Sequence, residues 1–486
     1  MKEKYPKKIG HWINDKEVTS GGRFFEKDNP ANGEIIARVA RGSERDVQKA
    51  IRRAEAAQKS WAQTPVIKRA DKIREIVFKL QEKKKELAEI IFLELGKSLK
   101  NALAEIDAAL ECGFFFAGEG RRFYGEVLPS ANEFKHVELA RVPIGTGAII
   151  TSFNNPAAGI CWKAFPALLC GNAVILKSHE YTPYTGIVMA KIFKEADLPA
   201  GLFSVVQGFG PEVVFPLAAD PRIKFISLTG SVRTARAIIK ASAENLTKVS
   251  IESGGKNPLI VCDDADLEKA ADAAVASAFI DAGQRCAAAS RIIVFEKVYE
   301  KFKKIFLGKV NKLKVGKGDD DDCGAVISKK RFDEILKDIA AAKKVGKLLS
   351  GGGAIGKTGY FIAPTVFERI SPNSELSKKE IFGPVTFLYK AHDFKSALSI
   401  ANNSDYKLAG SIHTSSLSRA NKFIRNFEAG VARVNGPTHG SEPHMPFGGV
   451  GLSGNGWREP GAKALDFYSE WKQISIEYDP AKINEK

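Results

Sequence analysis

At 486 residues the chain exceeds one ordinary hydrophobic core, so two or three domains are expected. Its 44% hydrophobic and 27% charged residues fit a globular protein. The net charge of +16 falls on lysines spread over helical faces, as in Gln81-Glu82-Lys83-Lys84-Lys85-Glu86, with no arginine-rich tail and no aromatic–basic interleaving; nucleic acid is therefore not an expected partner. An anionic substrate or cofactor would also benefit from this balance. Cys112, Cys161, Cys170, Cys262, Cys286 and Cys323 are scattered, without a Cys-x-x-Cys pair or a Cys/His cluster at zinc spacing. That reads as reduced thiols in a cytoplasmic protein with no metal site. Met1-Lys2-Glu3-Lys4-Tyr5-Pro6-Lys7-Lys8 has no apolar run, so no secretory signal is expected.

Residues 44–118 are helix-rich, with apolar positions at helical spacing in Ile73-Val77-Leu80 and Leu87-Ile91. Residues 123–146 read as extended, turn-bearing segments. From Gly147 strands and helices alternate. Gly147–Phe153, Phe203–Gln207 and Ile223–Leu228 are expected strands, with helices such as Tyr184–Ala196 between them. Such alternation implies a parallel, doubly wound α/β sheet. Ala157–Leu176 has the length of a membrane span, but Lys163, Pro166 and a turn at Gly171-Asn172 interrupt it. It is expected to form a buried helix and the strand Ala173–Leu176, so no membrane segment is read. A second alternating stretch runs over 258–430, and Trp471–Tyr478 alternates like a strand.

Two literal motif matches lack their context. Gly351-Gly352-Gly353-Ala354-Ile355-Gly356-Lys357-Thr358 fits the P-loop pattern, but the strand-like Gly359-Tyr360-Phe361-Ile362-Ala363-Pro364 follows where a helix is needed. A hairpin turn is expected. Gly449-Val450-Gly451-Leu452-Ser453-Gly454 fits a dinucleotide-binding glycine pattern without the βαβ unit that gives it meaning.

Three other stretches carry chemistry. Cys286 lies in Asp281-Ala282-Gly283-Gln284-Arg285-Cys286, a polar, turn-prone setting unlike that of a cysteine serving as a small core hydrophobe. Glu252 follows the strand-like Val249 and Ile251 and opens Glu252-Ser253-Gly254-Gly255-Lys256-Asn257-Pro258. Asn154 lies in Thr151-Ser152-Phe153-Asn154-Asn155-Pro156. A thiolate attacks carbonyl carbon, a side-chain amide stabilises the oxyanion that develops, and a carboxylate activates water.

The three stretches, in this order and at these intervals, resemble the aldehyde dehydrogenase superfamily, and the resemblance extends from about residue 10 to 478. It implies an α/β fold with a Rossmann-type nicotinamide-binding domain (1–122 and 147–254), an α/β catalytic domain (255–455) and a small β oligomerisation domain (123–146 and 465–486). The last would extend a sheet across the subunits of a homodimer or homotetramer. The implied activity is NAD(P)-dependent oxidation of an aldehyde to a carboxylic acid through a thioester on Cys286, with Glu252, Asn154 and Lys163 beside it. Lys163 has the plain alternative of a snorkelling lysine.

By the same resemblance Thr151, Ser152, Phe153, Lys177, Glu180, Gly230, Ser231, Glu380 and Phe382 face the cofactor. Gly230 and Ser231 stand at a strand-to-helix junction suited to a pyrophosphate. Glu180, near the ribose 2′ position, favours NAD over NADP, which remains possible. Arg233 and Ala235 depart from the family's usual Glu and Gly; Arg233 is either a favourable charge or a surface residue. Asn155, Trp162, Arg285, Ala287, Ser441 and Phe447 are expected to line the substrate tunnel. Arg285 either anchors a substrate carboxylate or points into a structural ion pair. His439 and His444 are expected to be loop hydrogen-bonders. A CoA-acylating semialdehyde dehydrogenase is a second enzyme reading, against which Glu252 argues. A P-loop ATPase or a non-catalytic binding protein with a basic surface are readings of other classes.

Overall fold

Apolar strands alternate with helices over residues 146–252 and again over 257–434; the first stretch gives five strands of one seven-stranded sheet, and the second gives all seven of another. The computed structural model describes residues 5–19 and 21–479. In the first sheet Lys248–Glu252, Ile223–Thr229, Thr146–Ile150, Ala173–Lys177 and Phe203–Val206 lie side by side in that order, all parallel. His11–Ile13 and Lys16–Val18 extend it antiparallel. Every residue of Thr146–Ile150 and Ala173–Lys177 is buried. Successive strand side chains point to opposite faces, so burial of all of them means that both faces are covered. The strand order reverses at Thr146–Ile150, which has Ala173–Lys177 on one side and Ile223–Thr229 on the other. Open α/β sheets bind ligands outside the carboxyl ends of strands at such a reversal.

The helix-rich segment folds as Glu44–Gln63, Val66–Glu82, Lys84–Leu95 and Leu99–Glu119. Ile73, Val77, Leu80, Leu87 and Ile91 are at most 1% exposed, as their spacing requires. Each such burial stabilises by about 1.5–3 kcal/mol relative to exposure. The long apolar run splits into the helix Pro156–Leu169 and the strand Ala173–Lys177. Asn172 fixes the turn between them. Its Oδ1 accepts the amides of Ile144 and Gly145, both at 2.9 Å, and its Nδ2 donates to the Tyr468 carbonyl at 2.7 Å. Among the described residues no helix is long and apolar enough to cross a membrane.

One boundary differs in a way that matters. The strand expected to reach Phe153 ends at Ile150, and Pro156 begins the next helix. Proline at the first helical position is pre-set for a helix and keeps the residue before it out of the helical region. Residues 151–155 are thereby left as a turn at the sheet's edge.

The second sheet runs Lys347–Ser350, Thr365–Glu368, Val385–Ala391, Ala289–Phe295, Asn257–Val261, Ala409–His413, Val431–Val434, parallel except for its first strand. Ser469–Glu477 pairs antiparallel with Lys135–Pro143, and Glu126–Leu128 pairs on the other side, giving a separate ribbon.

Both motif matches take the local structure that their surroundings dictate. Residues 351–364 connect the antiparallel strands Lys347–Ser350 and Thr365–Glu368, with a bridge between Ala354 and Ile362 and no helix. Val450–Gly451 pairs antiparallel with Tyr406–Lys407 instead of entering a helix. Lys357 is exposed on its hairpin connection. Lys357→Ala should leave turnover within about twofold of the parent, as for other surface substitutions; a phosphate-binding lysine would lose nearly all activity in the same steady-state assay.

Candidate active site

The carboxyl ends of the first sheet deliver most of the candidate residues to one edge. Register places Lys177 beside Ile150, Ile150 beside Leu228, and Thr229 beside Glu252. The turns that follow carry Thr151–Asn155, Ser178–Glu180 and Gly230–Ser231. Ser231 caps the helix Val232–Ser242, its Oγ accepting the Thr234 amide at 3.2 Å, while the Gly230 amide donates to the Glu252 carbonyl at 2.9 Å. Such a helix N-terminus suits a phosphate. Arg233 is exposed on that helix.

Lys177 Nζ donates to Glu180 Oε2 at 2.8 Å. Burial works against the Glu180 charge, but His179 and Lys177 outweigh it and hold the carboxyl down to about 2. Glu180 is therefore anionic at neutral pH. Phe153 meets His179, Tyr181 and Phe382 edge-on, with centroids 5.3, 6.2 and 5.6 Å away. That contact joins the 379–384 segment to the turn after the first-sheet strand. Glu380 Oε1 accepts the Gly255 amide at 3.0 Å. A Cβ on Gly254 would lie 2.0 Å from the Glu380 carboxylate, so any larger residue there would displace that side chain. Burial raises Glu380 to about 7. The anionic clamp, the open helix N-terminus and the aromatic wall fit a nicotinamide dinucleotide.

Cys286 stands just before the strand Ala289–Phe295 and is half-buried. The segment leading to it is unusual: Asp281, Ala282 and Gly283 all have positive φ, at 55°, 54° and 65°. The two non-glycine positions are strained and persist because their surroundings fix them. Arg285 Nε and Nη2 both reach Asp281 Oδ2 at 2.8 Å. Gln284 donates to the Ala325 carbonyl at 3.1 Å and accepts the Ile327 amide at 2.9 Å. A Cβ on Gly283 would meet the Gly383 carbonyl at 2.3 Å. Asn257 Nδ2 then donates to the carbonyls of Cys286 and Ala288, at 2.8 and 2.9 Å. Burial pushes the Cys286 thiol up to about 12; Glu252 and Glu380 add to this, and the Ala287 amide and Arg285 oppose it.

Glu252 is 5% exposed, and neither carboxylate oxygen has a hydrogen-bond partner among the described residues. Burial, then the charge of Glu459, raises it well above the usual carboxylate range, against Lys163 and Arg458. Lys163 lies in a closed buried network. Its Nζ donates to Glu459 Oε2 at 2.6 Å and Ser227 Oγ at 2.8 Å, and Ser227 and Tyr468 donate to Glu459 Oε1 at 2.6 and 3.0 Å. The structure thus gives Lys163 an electrostatic place behind Glu252.

Asn154 Oδ1 accepts from Ser152 Oγ at 2.6 Å, and no hydrogen bond occupies its Nδ2 among the described residues. Lys97 holds the turn from below. Its Nζ donates to the Asn154 carbonyl at 2.9 Å, to Asn155 Oδ1 at 3.4 Å and to Glu105 Oε2 at 2.6 Å. Glu105 Oε1 in turn accepts the amides of Ala157 and Ala158, at 2.9 and 3.4 Å, capping the next helix. An anion at that helix N-terminus is favourable.

On the substrate side Ala287, Leu408, Ala409 and Phe447 form a buried cluster against which Trp162, Cys286 and Val431 pack. Trp162 and Phe447 meet edge-on at 6.1 Å. Thr438 Oγ1 donates to the Ala287 carbonyl at 2.6 Å, and Ser441 Oγ accepts from Arg433 Nη2 at 3.3 Å. His439 lies in the same loop, and His444 sits 3.9 Å from Glu442. Sequence reasoning missed Lys97, Glu105, Asn257, Glu459 and Arg433. Single residues in helix or loop give no local sign of such long-range pairing. Arg433 is the exception, since Val431-Ala432-Arg433 places it on the face of Val431.

A strand-order reversal flanked by a helix N-terminus, a half-buried cysteine and a buried carboxylate without a hydrogen-bond partner among the described residues are what a nicotinamide-dependent oxidoreductase needs. The chain belongs to the aldehyde dehydrogenase family, whose model matches residues 17–474, and it oxidises aldehydes. It is 35% identical to the α-ketoglutarate semialdehyde dehydrogenase of Haloferax volcanii, over 96% of this chain and 99% of the relative. Among solved structures it is similar to an NADP-dependent enzyme of E. coli (33% identity, TM-score 0.94, 97% and 98% of the two chains). Another is the betaine aldehyde dehydrogenase of Staphylococcus aureus in complex with NAD+ (30% identity, TM-score 0.95, 100% and 97%).

The Lys97–Glu105 pair is testable apart from the chemistry. Removing one partner of a buried ion pair costs about 3–5 kcal/mol, so Lys97→Met should unfold earlier. Lys97→Arg keeps the charge but not the head that holds Asn154. It should lower kcat by about 10- to 100-fold, the scale of a small misplacement of a reacting group, with a smaller loss of thermal stability than Lys97→Met. Melting curves beside steady-state kinetics check both.

Proposed function

We propose that Cys286 is the nucleophile, Asn154 the oxyanion donor and Glu252 the hydrolytic base. The observation that carries this reading is Glu252, a buried carboxylate with both oxygens free whose charge acts on the Cys286 thiol. Cys286, its thiol proton first given up to solvent, attacks the aldehyde carbon as the thiolate, and the carbonyl oxygen becomes an oxyanion beside Asn154 Nδ2. A nicotinamide dinucleotide held by Lys177, Glu180, Ser231 and Glu380 would supply the acceptor for the hydride that this carbon gives up. A thioester remains on Cys286. Glu252 takes a proton from water as the water oxygen attacks the thioester carbon, and the carbon–sulfur bond breaks to release the acid and the thiolate. Lys163 and Glu459 are positioning residues that set the charge around Glu252. A CoA-acylating enzyme has no use for such a base.

The cofactor reading is NAD in preference to NADP, supported by the anionic Glu180. We also infer the division into a nicotinamide-binding unit (1–122 and 147–254), a catalytic unit (255–455) and an oligomerisation unit (123–146 and 465–486). The separate sheets support it; residues 1–4, 20 and 480–486 lie outside the described residues. The exposed strand Ser469–Glu477 supports a homodimer or homotetramer. A cytoplasmic location agrees with the unpaired cysteines.

Cys286→Ala should lose about 10³-fold or more in turnover, as for a missing nucleophile. Glu252→Gln should release one burst of reduced nucleotide, then stall with an acyl adduct on Cys286 visible by mass spectrometry. Both groups have raised values, so their active, deprotonated forms grow as pH rises. Parent turnover should therefore go on climbing above neutral pH, and Glu252→Gln should flatten the limb belonging to hydrolysis. A Glu252→Gln enzyme with neither burst nor adduct in a single turnover would assign the residue elsewhere.

Glu180→Gln removes the charge that disfavours a 2′-phosphate. The ratio of kcat/KM for NADP to that for NAD should rise. If the parent already prefers NADP, Lys177 outweighs Glu180 and this reading fails.

A further inference from the structure

The turn that carries Glu180 is gripped by buried polar side chains from two other parts of the chain. Gln207 follows the strand Phe203–Val206 and is fully buried. Its Oε1 accepts from Ser178 Oγ at 2.7 Å, and its Nε2 donates to the Pro183 carbonyl at 2.9 Å. One side-chain amide thus spans both ends of residues 178–183. The Gln207 backbone N–H donates to His11 Nδ1 at 3.0 Å, on the neighbouring strand.

Glu94 holds the same turn from behind. It lies near the end of the helix Lys84–Leu95 and is fully buried. The helix Pro183–Glu195 begins directly after the turn, and Thr182 at its cap position makes no side-chain cap bond. The buried Thr182 hydroxyl has no hydrogen-bond partner among the described residues. The cap comes instead from 90 positions earlier in the chain. Glu94 Oε1 accepts the Tyr184 amide at 2.7 Å, and Oε2 accepts the Thr185 amide at 3.1 Å and the Thr185 hydroxyl at 2.6 Å. The Tyr5 hydroxyl donates to Oε1 at 2.7 Å. Each of these groups donates, so the ionised, acceptor-only carboxylate suits them all, and buried Lys27 supplies a positive charge nearby. A helix with a Ser or Thr cap fixes its own entry; this one takes its place from a distant carboxylate. Further along the same segment Lys97 holds the Asn154 carbonyl at 2.9 Å, so residues 94–97 register both turns at the sheet's edge.

We propose that Glu94 and Gln207 are positioning residues for the cofactor: they set where Glu180 stands, and through it the affinity for the adenosine half of the dinucleotide and the choice between NAD and NADP. Both are fully buried and act through the turn. Their effect is confined to one half of the nucleotide. Glu380, whose charge reaches the Cys286 thiol, marks the reacting end, and its amide contact is to Gly255. The proposal deepens the cofactor reading and rests on it.

The test measures NADH binding by its fluorescence, and AMP and nicotinamide mononucleotide by displacement, in the parent, Glu94→Gln, Gln207→Leu and Ser178→Ala. Glu94→Gln and Gln207→Leu each disturb more than one hydrogen bond to the turn. Each should weaken NADH and AMP by about 10-fold or more and the mononucleotide by less than about twofold. KM for NAD should rise more than kcat falls, and the ratio of kcat/KM for NADP to that for NAD should rise as Glu180 leaves its place. Ser178→Ala removes a single contact to Gln207 and should weaken AMP by about fivefold; it decides the matter if either larger change unfolds the chain. Unchanged AMP affinity in variants that fold overturns the proposal. Equal losses for AMP and the mononucleotide also overturn it, since they mark a general loosening of the fold. A parent that binds neither NADH nor AMP fails the dinucleotide reading and the proposal with it. A parent that binds both, beside variants that bind them equally well, leaves that reading standing and overturns the proposal alone.

Discussion

Burying an ion without a partner is costly, and the surroundings of Cys286 are organised by that cost. Lys163 is closed with Glu459, Lys97 with Glu105, and Arg285 with Asp281. Each pair also fixes backbone or hydroxyl groups: Lys97 the Asn154 carbonyl, Glu105 the amides of Ala157 and Ala158, Glu459 the hydroxyls of Ser227 and Tyr468. The pairs do not serve mainly as sources of stability, because desolvation offsets much of their attraction. They give the turn 151–155 and the loop 281–286 one geometry each. Against that background Glu252 stands out as a carboxylate whose oxygens have no hydrogen-bond partner among the described residues. Such a group fits the proposed role of taking a proton from something that enters.

Much of this architecture is legible in the residues themselves. The sheet edge follows from alternating strands and helices, since a parallel sheet must put all its carboxyl ends on one side. Cys286, Glu252 and Asn154 draw attention in the sequence because their three stretches, in order and spacing, resemble those of the family, and each lies in a turn-prone segment or beside a strand. The pairings were not legible. Nothing local to Lys97 says that a carboxylate eight positions along a helix and a carbonyl from a distant turn will meet its ammonium. Arg285 shows the same limit from the other side. Next to Cys286 in sequence, it reads as a substrate anchor or, somewhat better, as an ion-paired support, and the fold brings Asp281, four residues earlier, against it. The strand expected to continue to Phe153 stops at Ile150 because Pro156 commits the chain to a helix, and the freed residues become part of the site.

Glu380 and Lys256 extend the argument to the cofactor side. Lys256 is fully buried, its Nζ has no hydrogen bond among the described residues, and it lies 4.9 Å from the centre of the Phe387 ring. Burial, then Arg291, lowers it to about 7, and burial raises Glu380 to about 7. Each acts on the other in the direction of charge. Beyond burial, the charge of Glu252 and that of Glu380 both act on the Cys286 thiol, raising it. Because the Glu252 charge opposes ionisation of the Cys286 thiol, the proposed roles would have the two charged in turn: thiolate during attack, carboxylate once the sulfur is acylated and carries no charge. On that reading the buried carboxylate separates the two halves of the reaction in time.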